Sequence, residues 1–258
     1  MYTSPDSFEK LRDAHLEFVD AQAARKRDAA VITSYYQAYR LAVSSLIYAD
    51  VDRAEKLLNS SVDFLNGIET ESAAVKASVN SAKRSLASYT RRIASARRQL
   101  SLVGKDAFPL ESAGWVNGSP LTDADLKGKV VLLDFWAVWC GPCIATFPHL
   151  IEWHEQYSEK GLVIIGATRY EKFGWNEAAK RSFRNAGISK EEEHEATRKF
   201  AEHHKLKHRL MFIPEENKFR SSYLISGIPH AVLIGRDGKI RMAVSYTHLR
   251  AHETPLHR

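Results

Sequence analysis

The sequence predicts two units of different class: an all-α segment followed by an α/β unit. Three observations carry this. Glycine is nearly absent from about Phe8 to Val103, where only Gly67 occurs, while alanine, leucine, arginine and lysine are frequent. Glycine, proline and tryptophan then appear together after Gly104-Lys105-Asp106. Beyond that point short apolar runs alternate with helical patterns and end in a hairpin signal, the pattern of a sheet covered on both faces.

In the first segment the clearest helix runs from Glu71 to Leu100. Val75, Val79, Ala82, Leu86, Tyr89, Ile93, Ala96 and Leu100 are spaced alternately by four and three, a heptad-like stripe. Upstream, Val31 to Ala49 is apolar and tyrosine-rich. Asp50 or Asp52 is placed to cap a helix through Leu57, Leu58, Val62 and Leu65 that ends at Asn66-Gly67. Two readings stay open for this region, residues 1–105: a helical hairpin or bundle packed on itself, or a coiled-coil arm for self-association or partner docking. The basic residues on its outer faces fit a solvated surface.

In the second segment, residues 106–244, Val130–Phe135 and Leu162–Ala167 read as buried strands and Leu210–Ile213 as a third. Cys143–Tyr157 and Glu191–His204 read as helices. Ala231–Ile234 and Lys239–Ala243 form a hairpin around Arg236-Asp237-Gly238. Tyr170–Lys190 reads as an added loop or helix.

Composition excludes some functions. The 258 residues are 44% hydrophobic and 26% charged, with a formal net charge of +6 spread over both segments. That balance belongs to a globular protein and does not argue for nucleic-acid binding. No apolar run is long enough to span a bilayer. The first residues lack the regions of a signal peptide, so the chain is expected to be cytoplasmic or to have its true start upstream.

Both cysteines of the chain lie in Trp139-Cys140-Gly141-Pro142-Cys143, directly after a strand and before a helix. That is a place for thiol–disulfide exchange. A zinc site needs four ligands and there is no second cysteine pair. A copper carrier using Cys140, Cys143 and a histidine such as His230 is an alternative, as is a non-catalytic interaction module. No metal or cofactor is expected. His203, His204 and His208 read as a solvated helix end rather than a ligand set.

The segment Asp134-Phe135-Trp136-Ala137-Val138-Trp139-Cys140-Gly141-Pro142-Cys143 resembles the active-site segment of thioredoxin, and Ile225-Ser226-Gly227-Ile228-Pro229 resembles its cis-proline segment. The lead-in Gly114–Gly118 and Leu126–Val131, with the strand Gly161–Gly166, is more similar to the TlpA/ResA branch of that superfamily. The resemblance covers roughly Asp106 to Ala243. It implies a thioredoxin-like mixed sheet flanked by helices and a protein-disulfide reductase. Its partners would be protein disulfides and an upstream thiol reductant, often in the bacterial periplasm or cell envelope.

Residue by residue, the resemblance and the chemistry of the motif imply that Cys140, at a helix start, is the nucleophile and Cys143 the resolving thiol. Asp134 would be a buried acid exchanging a proton with Cys143, unless it is only a strand-end cap. Pro229 would be cis, with Ile228 offering backbone groups to an extended client. Trp139, Gly141 and Pro142 would shape the contact surface, and Trp136 belongs to the core. The chain departs from the pattern at His230, where thioredoxin has threonine, and in lacking a recognisable helix after the hairpin. The tail from Ser245 to Arg258 resembles translated adapter sequence and is expected to be non-native, leaving one sheet face without its covering helix.

Overall fold

In the computed structural model the described residues are 5–216 and 218–245. The chain divides into two compact units, Met1–Arg98 and Gln99–Arg258. The expected non-native tail lies outside the described residues apart from Ser245, the last residue of a strand.

The first unit holds α1 (Pro5–Arg25), α2 (Ala29–Leu46), α3 (Val51–Asn66) and α4 (Ala73–Leu100). Caps mark their starts. The Asp28 carboxylate accepts the Val31 N–H at 2.9 Å, and Asp50 accepts the Arg53 N–H at 3.0 Å. Each satisfies an amide that the first helical turn leaves without a partner. Asp50, of the two candidates, is therefore the cap of α3. Arg53 at the start of α3 pairs with Glu9 and Asp13 on α1. Arg97 near the end of α4 bonds Asp52 and Glu55 at 2.7 Å each. So α1 and α3 run together and α4 runs back against α3.

The heptad-like stripe of α4 is used inside this bundle. Val75, Val79, Ala82, Leu86, Tyr89, Ile93 and Ala96 share one core with Ile32, Val43, Leu58 and Leu65. A second cluster joins Leu16, Val19 and Ala23 of α1 to Tyr35, Ala38, Tyr39 and Ala42 of α2. Of the two readings left open, the α4 stripe answers to the self-packed bundle.

The second unit is built on a six-stranded sheet of order β1-β6-β3-β2-β7-β8. Its strands are β1 (Gly114–Val116), β2 (Val130–Phe135), β3 (Leu162–Thr168), β6 (Arg209–Phe212), β7 (His230–Ile234) and β8 (Ile240–Ser245). β2 pairs parallel with β3 and antiparallel with β7. β3 pairs parallel with β6, while β1 and β8 are antiparallel edges. The helices are α5 (Asp123–Leu126), α6 (Gly141–Ile144), α7 (Phe147–Tyr157), α8 (Lys190–His203) and α9 (Phe219–Ser222). β2 is apolar on both sides because both faces are covered, as for central strands of α/β sheets. Leu133, Phe135, Ile165, Met211 and Val232 lie in one core with Phe219 and Tyr223 of α9 and its flank. On the other face Trp136 stacks on Phe200 of α8 at 5.4 Å and meets Phe147 of α7 edge-on at 5.6 Å. Also on that side, Val130, Leu132, Leu162 and Leu233 line an open cleft with Trp153 and Tyr157 of α7, about 250 Å³ in volume.

Three sequence expectations change in detail. The helix expected over Cys143–Tyr157 is two helices, because Pro148 in the first turn of α7 has no N–H to continue α6. The insertion Tyr170–Lys190 is a hairpin of β4 (Phe173–Asn176) and β5 (Arg181–Arg184). Trp175 of β4 packs edge-on to Phe200 at 5.9 Å. Finally, His208 is not part of a solvated helix end. Of the three histidines only His203, the last residue of α8, is exposed; Lys205 takes a left-handed φ of 58° and turns the chain back into the sheet. His208 is thereby buried, its ring 6.3 Å from that of His154 on α7.

Two outcomes follow from this packing. A Cβ added at Gly166 would lie 2.7 Å from Leu210 Cδ2 and 2.8 Å from Trp136 Nε1. Gly166→Ala is therefore expected to cost about 1–3 kcal/mol by overpacking, measured by urea unfolding. Burial, with the charge of His154 second, pushes His208 down to about 4 from 6.5. Burial also lowers His154, helped by Lys207 and Arg209 and opposed by Glu155. The unfolded chain then binds more protons than the folded one between about pH 6.5 and 4. Stability is full above that window and falls as pH drops through it, by up to about 1.4 kcal/mol per pH unit for His208. His208→Asn should flatten the pH dependence of the urea midpoint between pH 7 and 5; an unchanged slope would contradict it.

Candidate active site

The two cysteines lie just past the C-terminal end of β2. The Cys140 N–H donates to the Ala137 carbonyl at 3.0 Å, closing a turn, and Cys140 then caps α6. Its Sγ accepts the Cys143 N–H at 3.2 Å. Pro142 stands in the first turn of α6, where its missing N–H costs nothing. The two sulfurs are joined in a disulfide with the Cα atoms 5.2 Å apart. Cys143 is fully buried and Cys140 is 4% exposed. An amide N–H aimed at Cys140 Sγ favours that sulfur as an anion once the pair is reduced.

Strand pairing places the other expected residues. Asp134 is buried in β2, opposite Gly166 on one side and Ala231 on the other. Phe135 stands opposite His230, so Pro229 enters β7 beside the end of β2 that leads to Cys140. The Ile228–Pro229 peptide is cis. The His230 ring is fully buried, 6.1 Å from Phe135 edge-on, and neither ring nitrogen has a hydrogen-bond partner among the described residues. Burial pushes it down to about 4, with the Arg220 charge adding to the effect. Among the described residues no three His, Cys, Asp or Glu side chains converge as a metal set, Cys140, Cys143 and His230 included.

Trp139 is 51% exposed, next to the nucleophile candidate, whereas Trp136 is buried in the core. The Trp139 indole N–H donates to the Glu171 carboxylate. Glu171 also accepts from Arg169 at 3.2 Å. The strap carrying both, residues 168–173, is held by Glu193 of α8. Glu193 Oε1 accepts the Glu171 N–H at 2.8 Å and the Phe173 N–H at 3.0 Å. The Thr197 hydroxyl donates to the Glu193 carbonyl at 2.9 Å. Sequence reading did not find Glu171 or Glu193. The signal available was the indole N–H of an exposed tryptophan, which needs an acceptor, but no spacing rule joins position 139 to 171.

Glu193→Ala would leave two strap amides without their acceptor, a loss of about 1–3 kcal/mol. The expected readout is faster hydrogen exchange at Glu171 and Phe173 with a more mobile Trp139 side chain. Glu193→Gln keeps the acceptor oxygen and should restore both.

A protein-family model described as thioredoxin-like matches residues 128–240. Protein DipZ of Mycobacterium bovis is 36% identical over 108 residues, covering 35% of this chain and 15% of DipZ. The thiol-disulfide oxidoreductase ResA of Bacillus cereus is 29% identical over 138 residues, covering 54% of this chain and 66% of that protein. ResA of Bacillus subtilis is 27% identical over 146 residues, covering 56% and 68%. The chain thus spans a small part of DipZ and about two thirds of ResA. None of these matches accounts for the whole chain; the family model spans the part that holds β2, the cysteine pair and the cis-proline. That part of the chain is similar to thioredoxin-like proteins, and the ResA relatives that match the chain are thiol-disulfide oxidoreductases.

Proposed function

We propose that this chain is a thiol-disulfide oxidoreductase that reduces protein disulfides through Cys140 and Cys143. The observation that carries the reading is the Cys140–Cys143 disulfide at the start of α6, with the Cys143 N–H directed at Cys140 Sγ. In the reduced protein the Cys140 thiolate attacks one client sulfur. A mixed disulfide forms with that sulfur, and the other client sulfur leaves as a thiolate. Cys143 gives up its proton and attacks Cys140 Sγ, re-forming the Cys140–Cys143 bond and releasing the second client thiolate. The client gains two electrons and two protons, and an upstream thiol reductant restores the dithiol.

Asp134 takes the Cys143 proton in this reading. Its support is burial on β2, the strand that leads to the cysteine pair. Ile228 and Pro229 offer backbone groups to an extended client strand, and Trp139, Gly141 and Pro142 form the contact surface around the attacking sulfur. The cis geometry at Ile228–Pro229 and the exposure of Trp139 support those roles. The Gly-Pro dipeptide is that of thioredoxin, at about −270 mV, which favours reduction over oxidation. Among the described residues no helix is long and apolar enough to cross a membrane. The TlpA/ResA resemblance favours clients in the bacterial cell envelope. Self-association through the helical unit has its support in Phe8, Leu11 and Phe18, which α1 leaves exposed.

The test is a pair of variants. Cys140→Ser should lose at least about 1000-fold in disulfide turnover, since the attacking thiolate is gone. Cys143→Ser should instead accumulate a mixed disulfide with the client, seen on a non-reducing gel. Full turnover in Cys140→Ser would sink the enzyme reading, and retained client binding without any wild-type turnover would favour an interaction module. Tight copper binding by wild type that Cys140→Ala/Cys143→Ala abolishes would favour the carrier.

A further inference from the structure

We propose that α1 pairs antiparallel with the α1 of a second copy of this chain, through a stripe of Ser7, Leu11, Ala14, Phe18 and Ala21. This rests on the self-association reading above and adds to it the face, the partner and the direction of pairing.

α1 carries two stripes of side chains. Leu16, Val19 and Ala23 are buried in a cluster with Tyr35, Ala38, Tyr39 and Ala42 of α2. Ser7, Leu11, Ala14, Phe18 and Ala21 follow one another by four, three, four and three residues, and all five are exposed. At 3.6 residues per turn this second stripe is centred about 150° around the helix from the buried one. Its two large members carry much of their surface in solvent: Leu11 is 70% exposed and Phe18 is 58% exposed. Alternating spacings of four and three are the repeat that keeps one line of residues against a helix wound alongside. The same spacing in α4 is buried against helices of its own bundle. In α1 it is left facing outward.

The stripe is complementary to itself in one direction only. It alternates small and large residues. In a two-fold antiparallel pair, Leu11 lies opposite Ala14 of the second copy and Phe18 lies opposite its Ser7. The symmetry makes the reverse contacts equivalent, as an interface between identical patches requires. Large against small fills every layer. Parallel pairing would set Phe18 against Phe18 and Ala14 against Ala14, crowding one layer and hollowing the next.

The charges agree with this direction. Lys10 and Glu17 lie along one edge of the stripe, both exposed and without an ion pair among the described residues. Antiparallel pairing brings that edge of both helices together. Lys10 of each copy then faces Glu17 of the other, offset by about 3 Å along the axis. Parallel pairing would turn it toward the opposite edge, where Phe8, His15 and Gln22 offer no carboxylate. The remaining charges are engaged elsewhere or lie past these layers. Arg12 pairs with Glu9 and Asp13, which also hold Arg53 of α3. Asp20 accepts the Tyr39 hydroxyl at 3.0 Å, and Arg25 stands one turn beyond Ala21.

The experiment is sedimentation equilibrium of the full chain with the Cys140–Cys143 disulfide closed. A monomer–dimer equilibrium is expected with a dissociation constant of about 1–100 μM, the range of a small interface. Phe18→Glu should weaken the dimer at least about 30-fold, because it puts a charge into the seam. Lys10→Glu and Glu17→Lys alone each set like charges opposite one another twice, and each should weaken it about 3- to 10-fold at low salt. Lys10→Glu/Glu17→Lys should return to within about 2-fold of wild type, which also shows that the reversed chains fold. A chain that stays monomeric up to about 500 μM, well above the expected range, overturns the inference together with the self-association reading. A dimer that Phe18→Glu or the single reversals leave unweakened overturns this face and direction while self-association stands. Disulfide turnover should be equal in wild type and Phe18→Glu, so the dithiol reading is judged separately.

Discussion

The site depends on the pairing of one strand. β2 has β3 on one side in parallel register and β7 on the other in antiparallel register. Side chains of a strand alternate between faces, so a slip of one residue in either ladder would exchange every one of them. The present register sends Leu133 and Phe135 into the core with Tyr223 and Val232. It sets Asp134 between Gly166 and Ala231, and brings His230, with Pro229 before it, alongside the end of β2. Apolar contact on both faces makes that register costly to change. The cysteine pair, one turn beyond the strand, inherits its position from these ladders rather than from any contact of its own.

A second layer of order is polar. A buried glutamate on α8 holds two amides of the strap after β3, and the strap's own glutamate holds the indole beside Cys140. These are charge-assisted bonds, stronger than neutral ones and expensive to leave half-made. They connect the β4–β5 insertion, which packs through Trp175 on α8, to the rim of the site. The insertion is thereby part of the site's architecture and not a loose addition to it.

The helical unit follows a different logic. Its interior is a continuous apolar seam in which α4 supplies one residue every three or four to a core shared with α2 and α3. Charged pairs lie at its margin, where solvent screens them and each contributes little. The aromatic contacts of Tyr35 with Tyr39 and Phe64, at 4.6 and 4.3 Å, belong to the second cluster, between α1 and α2. No group of three or more His, Cys, Asp or Glu side chains able to hold a metal ion is present among its described residues.

Much of this was legible in the residues because the signals are local. Apolar period three-four for α4, the continuous run Val130–Phe135, the Asp-Gly turn before Lys239 and the Cys-Gly-Pro-Cys spacing each concern neighbours in the chain. Backbone sterics and hydrogen-bond geometry turn such patterns into helix, strand, turn and dithiol with little outside help. What tertiary structure decided was every relation across distance. The burial of His208 beside His154, the hairpin form of Tyr170–Lys190, the break before Pro148 that separates α6 from α7, and the Glu193–strap–Trp139 chain all fall in this class. Such contacts join positions that no periodicity links, and a side chain's surroundings exist only once the elements carrying it have packed. The sequence by itself determined which elements form and where the thiols lie; packing alone decided which charges and ring nitrogens surround them, because desolvation and partner distance are properties of the assembled fold.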